Sequence, residues 1–281
     1  APLEILAHRI VWSVVVLVLI VAVLRRWTLL GGAIRVPRSV GLLFIFIVGV
    51  ILLATMALLP PFMQGLLGYP VIDVGYLLAP RGVGTMFAMI AVGKLSGKVD
   101  MRHMILLGLM LTSLSLWEMT NFNTDIDGWD IVRTGITQGL GLGFIFVPLS
   151  TITFATLAPR YRNEGTALFS LMRNLGSSIG ISVVMTYLAQ RTQANHAAFA
   201  DYINPFNLAL RQAVEAGAYN LSTPEGLAAI NGEVTRQAAT LAYLQDFRLM
   251  MWITVAAIPL IILLRASPKK SAVNDVHAAM E

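Results

Sequence analysis

The chain has 281 residues, 57% hydrophobic and only 12% charged, with a mean hydropathy of +0.74. A soluble domain carries about 25% charged residues, so a water-facing surface cannot be covered and most of the exterior must meet lipid. The net charge of +5 does not point to nucleic acid, because the basic residues sit at the ends of apolar runs and form no continuous patch.

A bilayer core about 30 Å thick needs about 20 residues of apolar helix. On that measure the sequence predicts Ile10 to Leu24 as a short first span, then Val40 to Leu59, ended by Pro60-Pro61. Tyr76 to Val92, Met104 to Met119, Ile131 to Leu157 and Ala167 to Ala189 follow, with Pro148 as a possible kink in the fifth. A polar stretch, Gln190 to Asp246, precedes a seventh span from Phe247 to Leu264. Within that stretch a helix is expected from Thr223-Pro224-Glu225, with Thr223 as cap and Pro224 in the first turn. The fold class is therefore an all-α integral membrane protein of about seven transmembrane helices.

Lysine and arginine in short loops set the orientation. Arg25–Arg38, Lys94–Arg102, Arg160–Arg162 and Arg265–Lys270 hold twelve of the 20 basic residues. The alternate connections, Pro60–Gly75 and Thr120–Asp130, hold none and carry Asp73, Asp125, Asp127 and Asp130. The basic set is read as cytoplasmic, which puts the N-terminus and the stretch 190–246 outside and the C-terminus inside. The first residue is Ala and no cleavable signal pattern precedes the first apolar run, so the chain is expected to be a segment of a longer protein.

Small residues recur every four positions at Gly135, Gly139 and Gly143 in the fifth span and at Gly176 and Gly180 in the sixth. In lipid such faces let two backbones approach closely, against each other or against a partner. Intramembrane charge is the sharper signal, since an arginine at the bilayer centre costs about 2.5–3.5 kcal/mol on insertion scales. Arg173 beside Asn174 lies deep in the sixth span, where a buried structural pair and a cavity-lining group are equally open. Arg81, between Pro80 and Gly82, is expected to bond the carbonyls those residues leave free. Arg133 and Glu118 sit near outer helix ends and are read as interfacial. No carboxylate lies at the middle of any predicted span.

With no cysteine there is no disulfide framework, thiolate chemistry or cysteine metal site. His8, His103, His196 and His277 form no ligand pair at helical spacing. Gly139-Leu140-Gly141-Leu142-Gly143 lacks the strand-turn-helix context of a dinucleotide fingerprint. No enzyme constellation, cofactor or metal is expected.

Several stretches carry a family likeness: Leu52 to Pro61, Leu78 to Met86, Ser115 to Met119, Arg162-Asn163-Glu164-Gly165, and Leu171 to Gly176. Through them the chain from about 40 to 270 resembles the C-terminal half of a major facilitator superfamily drug:proton antiporter of the fourteen-span EmrB/QacA type. In the loop Gly93 to Arg102, the residues Gly93, Gly97, Lys98 and Arg102 resemble the superfamily's motif between paired helices. Gly97 stands where that motif has aspartate and Asp100 where it has glycine, which leaves the family's charge relay open here. Arg133, Gln138 and Gly139 echo the family's arginine–glutamine–glycine helix pattern only loosely. Pro2 to Ser13 is similar to the start of a span in RarD-type permeases of the drug/metabolite transporter group.

The resemblance implies a division into a RarD-like span at 1–27, a cytoplasmic linker at 28–39, an antiporter-like bundle at 40–265 with its outside loop at 190–246, and a cytoplasmic tail at 266–281. It implies a multidrug-efflux permease of the bacterial inner membrane, a half-transporter or fusion fragment. The substrates would be small amphipathic molecules and protons, and the partners lipid, a complementary N-terminal half or a periplasmic adaptor, with no nucleic acid. Arg81, Glu118, Arg133, Gln138, Arg173 and Asn174 would lie on or near the substrate path. A structural or partner-binding membrane subunit and a RarD-like permease are the alternatives.

Overall fold

Apolar residues dominate every long segment, and a backbone surrounded by lipid must satisfy its hydrogen bonds internally, which helices do. The computed structural model describes residues 36–155, 162–204, 206–217, 219–259 and 261. They form α1 (Val36–Gly65), α2 (Val71–Leu95), α3 (Met101–Met119), α4 (Gly128–Ala155), α5 (Arg162–Ala200), the short α6 (Leu208–Glu215) and α7 (Pro224–Ala257). The expected first span, the linker at 28–39 up to residue 35, and the tail lie outside the described residues. Apart from an isolated Ser96–Val99 bridge, no strand occurs among them.

Each long helix contains one expected span, but the boundaries move. Pro60 and Pro61 do not end the second span: α1 runs on to Gly65. Proline's fixed φ is helical and its cost falls on carbonyls one turn earlier, while Phe62 and Met63 just beyond it are fully buried. The outside loop expected at 190–246 is largely helix. α5 continues to Ala200, and α7 starts at Pro224 and passes through Asp246 without a break. Thr223 caps α7, its side chain accepting from Gly226 N at 3.2 Å. At 1.5 Å per residue, α5 with 39 residues is about 58 Å long and α7 with 34 about 51 Å. Both outreach a hydrocarbon core of about 30 Å, so their paired ends project beyond it.

By length and composition four of these helices can cross a membrane: Phe44–Gly65, Val71–Leu95, Gly128–Ile152 and Asn163–Ala200. The other two expected spans fall short among the described residues. α3 has only 19 residues and includes Arg102, His103 and Glu118. The first half of α7 is polar, and its described part stops at Ala257.

Glycines fix how the helices pair. A Cβ on Gly135 would lie 3.8 Å from Arg81 Cβ, one on Gly139 3.1 Å from Thr85 N, and one on Gly143 2.5 Å from Ala88 Cβ. These contacts advance together along the chain, so α2 and α4 run parallel. A Cβ on Gly176 would meet Phe46 O, and one on Gly180 would come within 2.8 Å of Val50 Cα, so α1 and α5 are parallel as well. Both expected small-residue faces thus pack inside this chain. α3 runs antiparallel to α4: a Cβ on Gly108 would come within 2.6 Å of Gly141 O, and Ser115 Oγ donates to Thr134 O at 2.8 Å. Asn195 Nδ2 donates to Ala238 O at 3.2 Å, and His196 Nε2 lies 3.0 Å from Asn231 Oδ1, which pairs α5 with α7 antiparallel. Exchanging the first three long helices for the last three carries the α2–α4 pair onto α5–α1, the relation of an internal repeat.

The core has two centres. One joins Leu58, Phe62, Leu116, Phe122, Val184, Tyr243 and Phe247; the other joins Phe44, Ile45, Leu109, Ile145, Phe169 and Ala257. Val83, Met86, Phe87 and Ile90 of α2 stay exposed, as a lipid-facing band requires. Tyr76, Trp117 and Trp129 are exposed near the ends of α2, α3 and α4 that meet on one side of the bundle, the kind of position where aromatic belts anchor helices at the interface.

Candidate functional site

The parallel crossing of α1 and α5 leaves a groove of about 310 Å³ lined by Leu53, Asn174, Ser177, Ser178 and Ile181. Tight packing creates it: Gly49 and Gly176 let the backbones touch, and the side chains one turn away must splay. Ser177 Oγ is satisfied by Gly49 O at 3.1 Å and Arg173 O at 2.8 Å, so it staples the two helices. Asn174 is exposed and offers an amide donor and acceptor at the groove. Arg173 is half-buried beside it. The groove is shallow and open, and it sets two apolar side chains beside three polar ones.

The other polar residues expected on the path are not gathered at this groove. Arg81 and Gln138 lie on facing helices α2 and α4. Arg81 is buried and its Nη2 has no hydrogen-bond partner among the described residues. Pro80 sits inside α2, where it has no N–H to donate to the carbonyl one turn earlier. Gln138 is fully buried with both amide atoms unpartnered. It shares the stripe of Thr134 and Gly141 that faces α3. Arg133 lies 3.6 Å from Glu118 Oε1 and 3.9 Å from Asp130 Oδ1, its side chain 54% exposed and that of Glu118 19%. This is a rim ion pair between the end of α3 and the start of α4.

The loop from Gly93 to Arg102 is a tight reversal between α2 and α3. Gly97 takes φ +92°, a left-handed conformation that suits glycine alone. Asp100 caps α3, its Oδ1 accepting from Arg102 N at 3.0 Å. Asp100 is thus occupied at the helix N-terminus, where its negative charge also suits the dipole. Lys94 and Lys98 are exposed, and Arg102 is half-buried with Nε unpartnered. Among the described residues no group of three or more His, Cys, Asp or Glu is placed to hold a metal ion.

Sequence reasoning missed Asp246. It is fully buried, and neither carboxylate oxygen has a hydrogen-bond partner. It closed a polar stretch just before an expected span and so passed for loop. The signal that could have found it is the helical spacing of Tyr243, Asp246, Phe247 and Met250, which carries one buried face back into that stretch.

Residues 7–181, more than half of the chain, match the family model of the Major Facilitator Superfamily. The match begins inside the segment read as RarD-like. The fatty acid resistance protein FarB of Neisseria gonorrhoeae is 27% identical over 210 residues, 74% of this chain and 41% of that protein. The probable multidrug resistance protein EmrY of Escherichia coli K12 is 26% identical over 68% of this chain and 38% of its own length. The multidrug export protein EmrB of the same strain is 27% identical over 60% and 33%. The chain therefore spans less than half the length of these curated relatives. A solved structure of a bacterial homologue of the human lysosomal transporter Spinster, inward-facing and occupied, superimposes with a TM-score of 0.54 at 16% identity. It covers 80% of this chain and 48% of the other, a likeness of fold.

Together, the paired parallel helices and the exposed apolar bands define an all-α integral membrane protein. The chain belongs to the Major Facilitator Superfamily.

Proposed function

We propose that this chain is the second-half bundle of a multidrug-efflux-type exporter of amphipathic compounds, coupled to protons and active together with a complementary first-half bundle. The observation that carries the reading is the groove between α1 and α5, which pairs an apolar wall, Leu53 and Ile181, with the polar Asn174, Ser177 and Ser178. Amphipathic substrates need that combination: apolar area for binding energy and a few polar groups for orientation. Relatives described as multidrug and fatty acid resistance proteins, aligned over only part of their length, support both the substrate class and the need for a second bundle. The membrane would be the bacterial inner membrane, with the basic loop Gly93–Arg102 on the cytoplasmic side. A periplasmic adaptor is the partner that would suit the projecting ends of α5 and α7.

Co-expression with a first-half bundle in an efflux-deficient host should lower dye accumulation, and Asn174→Leu should abolish that gain. Unchanged accumulation with both halves present in the membrane overturns the reading. A partner-binding subunit would use exposed glycine faces. Here the Gly139 and Gly180 faces are filled by α2 and α1 of the same chain, which favours the exporter reading.

A further inference from the structure

Asp246 sits where a membrane protein has least reason to place a carboxylate. It is fully buried on the face of α7 that carries Tyr243, Phe247 and Met250 into the core. Around it stands a ring cluster: Phe62 with Tyr243 at 5.4 Å and Phe247 at 6.1 Å, and Phe122 with Phe247 at 6.2 Å between centroids. α7 packs there on α1, α3 and α5. From Phe44 to Gly65, α1 offers no titratable residue. The outer half of α3 offers Glu118, engaged 3.6 Å from Arg133. The register of Asn195 on Ala238 brings the level of Tyr187 and Arg191 on α5 opposite Asp246, and that arginine stacks 4.9 Å above the tyrosine ring. The α3–α4 connection adds Asp125 and Asp127, both exposed, and α7 itself adds Tyr243 and the exposed Arg248. Neither Asp246 oxygen is hydrogen-bonded to any of them.

An ionised carboxylate in this setting loses its hydration and gains no counter-charge, a penalty that proteins avoid by keeping the group neutral. The neutral acid loses far less on burial and matches the apolar packing. We propose that Asp246 is a proton-binding site of this bundle: the carboxylate takes one proton from water at the outer end and is held as the neutral acid while α7 is seated on α1, α3 and α5. Release of that proton leaves a buried anion and loosens the seat of α7, so proton occupancy and helix packing are coupled. The aromatic cluster keeps water and counter-ions out, which makes the switch depend on the proton alone.

This goes beyond the exporter reading and needs no first-half bundle, so its failure leaves the co-expression experiment untouched. The test uses the full chain in lipid nanodiscs, comparing wild type with Asp246→Asn, the neutral isostere. Infrared difference spectra between about pH 5 and about pH 9 should show loss of a protonated-carboxyl stretch in the wild type that the variant lacks. Over the same rise the wild-type melting midpoint should fall, because the protonated form is the one the fold accommodates. The variant should lose that dependence. If Asp246→Asn does not fold, Asp246→Glu keeps a titrating acid and should retain the band at a shifted frequency. The proposal is overturned if the band is unchanged by the asparagine substitution, if both proteins melt with the same pH slope, or if the glutamate variant shows no carboxyl titration.

Discussion

At the scale of single residues, the glycines carry the geometry. A Cβ on Gly139 would run into Arg81 O, whereas one on Gly135, a single turn away on the same stripe, would meet Arg81 Cβ at 3.8 Å, an ordinary contact. The stripe is therefore not uniform. Overpacking of this kind typically costs about 1–3 kcal/mol, and backbone cannot swing aside as a side chain can. Gly139→Ala should lower the melting midpoint in detergent clearly, while Gly135→Ala should leave it within error. Equal losses would mean that the α2–α4 contact is looser than described. Arg81 raises the same question of necessity. It is buried with Nη2 unpartnered among the described residues, and nothing in its neighbours Pro80 and Gly82 announces that.

At the scale of elements, the reversal between α2 and α3 and the α5–α7 pair behave differently. The reversal is held locally by the φ of Gly97 and the cap from Asp100, so its shape needs no long-range contact. Its lysines are exposed, as are the short-loop basic residues that bias helix insertion. Replacing Lys98 and Arg102 with glutamine should therefore disturb topology or conformational switching, read by protease accessibility, more than it weakens ligand affinity. A pure affinity loss with normal topology would overturn that assignment. α5 and α7 depend on each other beyond the bilayer. There Glu233 accepts from Arg236 at 2.8 Å, and that hydrogen bond holds the Glu233 carboxyl below its usual range. The pair is an i,i+3 surface contact, so it supports the helix start only slightly. Its contribution is present above the ordinary carboxylate range and fades as acid protonates Glu233.

At the scale of the whole molecule, the six long helices among the described residues alternate in direction, the alternation that the proposed sidedness of the basic and acidic loops needs. Single cysteines at Lys98 and Asp127 test this in intact cells: a membrane-impermeant maleimide should label Asp127→Cys and spare Lys98→Cys. The reverse labelling would invert the proposed orientation. The pseudo-symmetric exchange of α2–α4 with α5–α1 places two glycine-lined parallel pairs in one bundle.

Hydropathy and charge determined by themselves that the chain crosses a membrane with helices, because lipid punishes exposed backbone and loop lysines in ways that depend only on composition and order. The four-residue spacing of glycines likewise announced close helix contacts, and Thr223-Pro224 announced the start of α7, since caps are local chemistry. Which helices those glycines join, where α1 and α5 end, and what surrounds Asp246 were decided only in three dimensions. A glycine face does not name its partner. Prolines stop a helix only when packing beyond them gives no reward, and Phe62 and Met63 give one. A carboxylate at the edge of a polar stretch reads as solvated until the neighbouring helices close over it. Tertiary packing, by seating Tyr243, Phe247 and Met250 against Phe62 and Phe122, drew Asp246 inside with them.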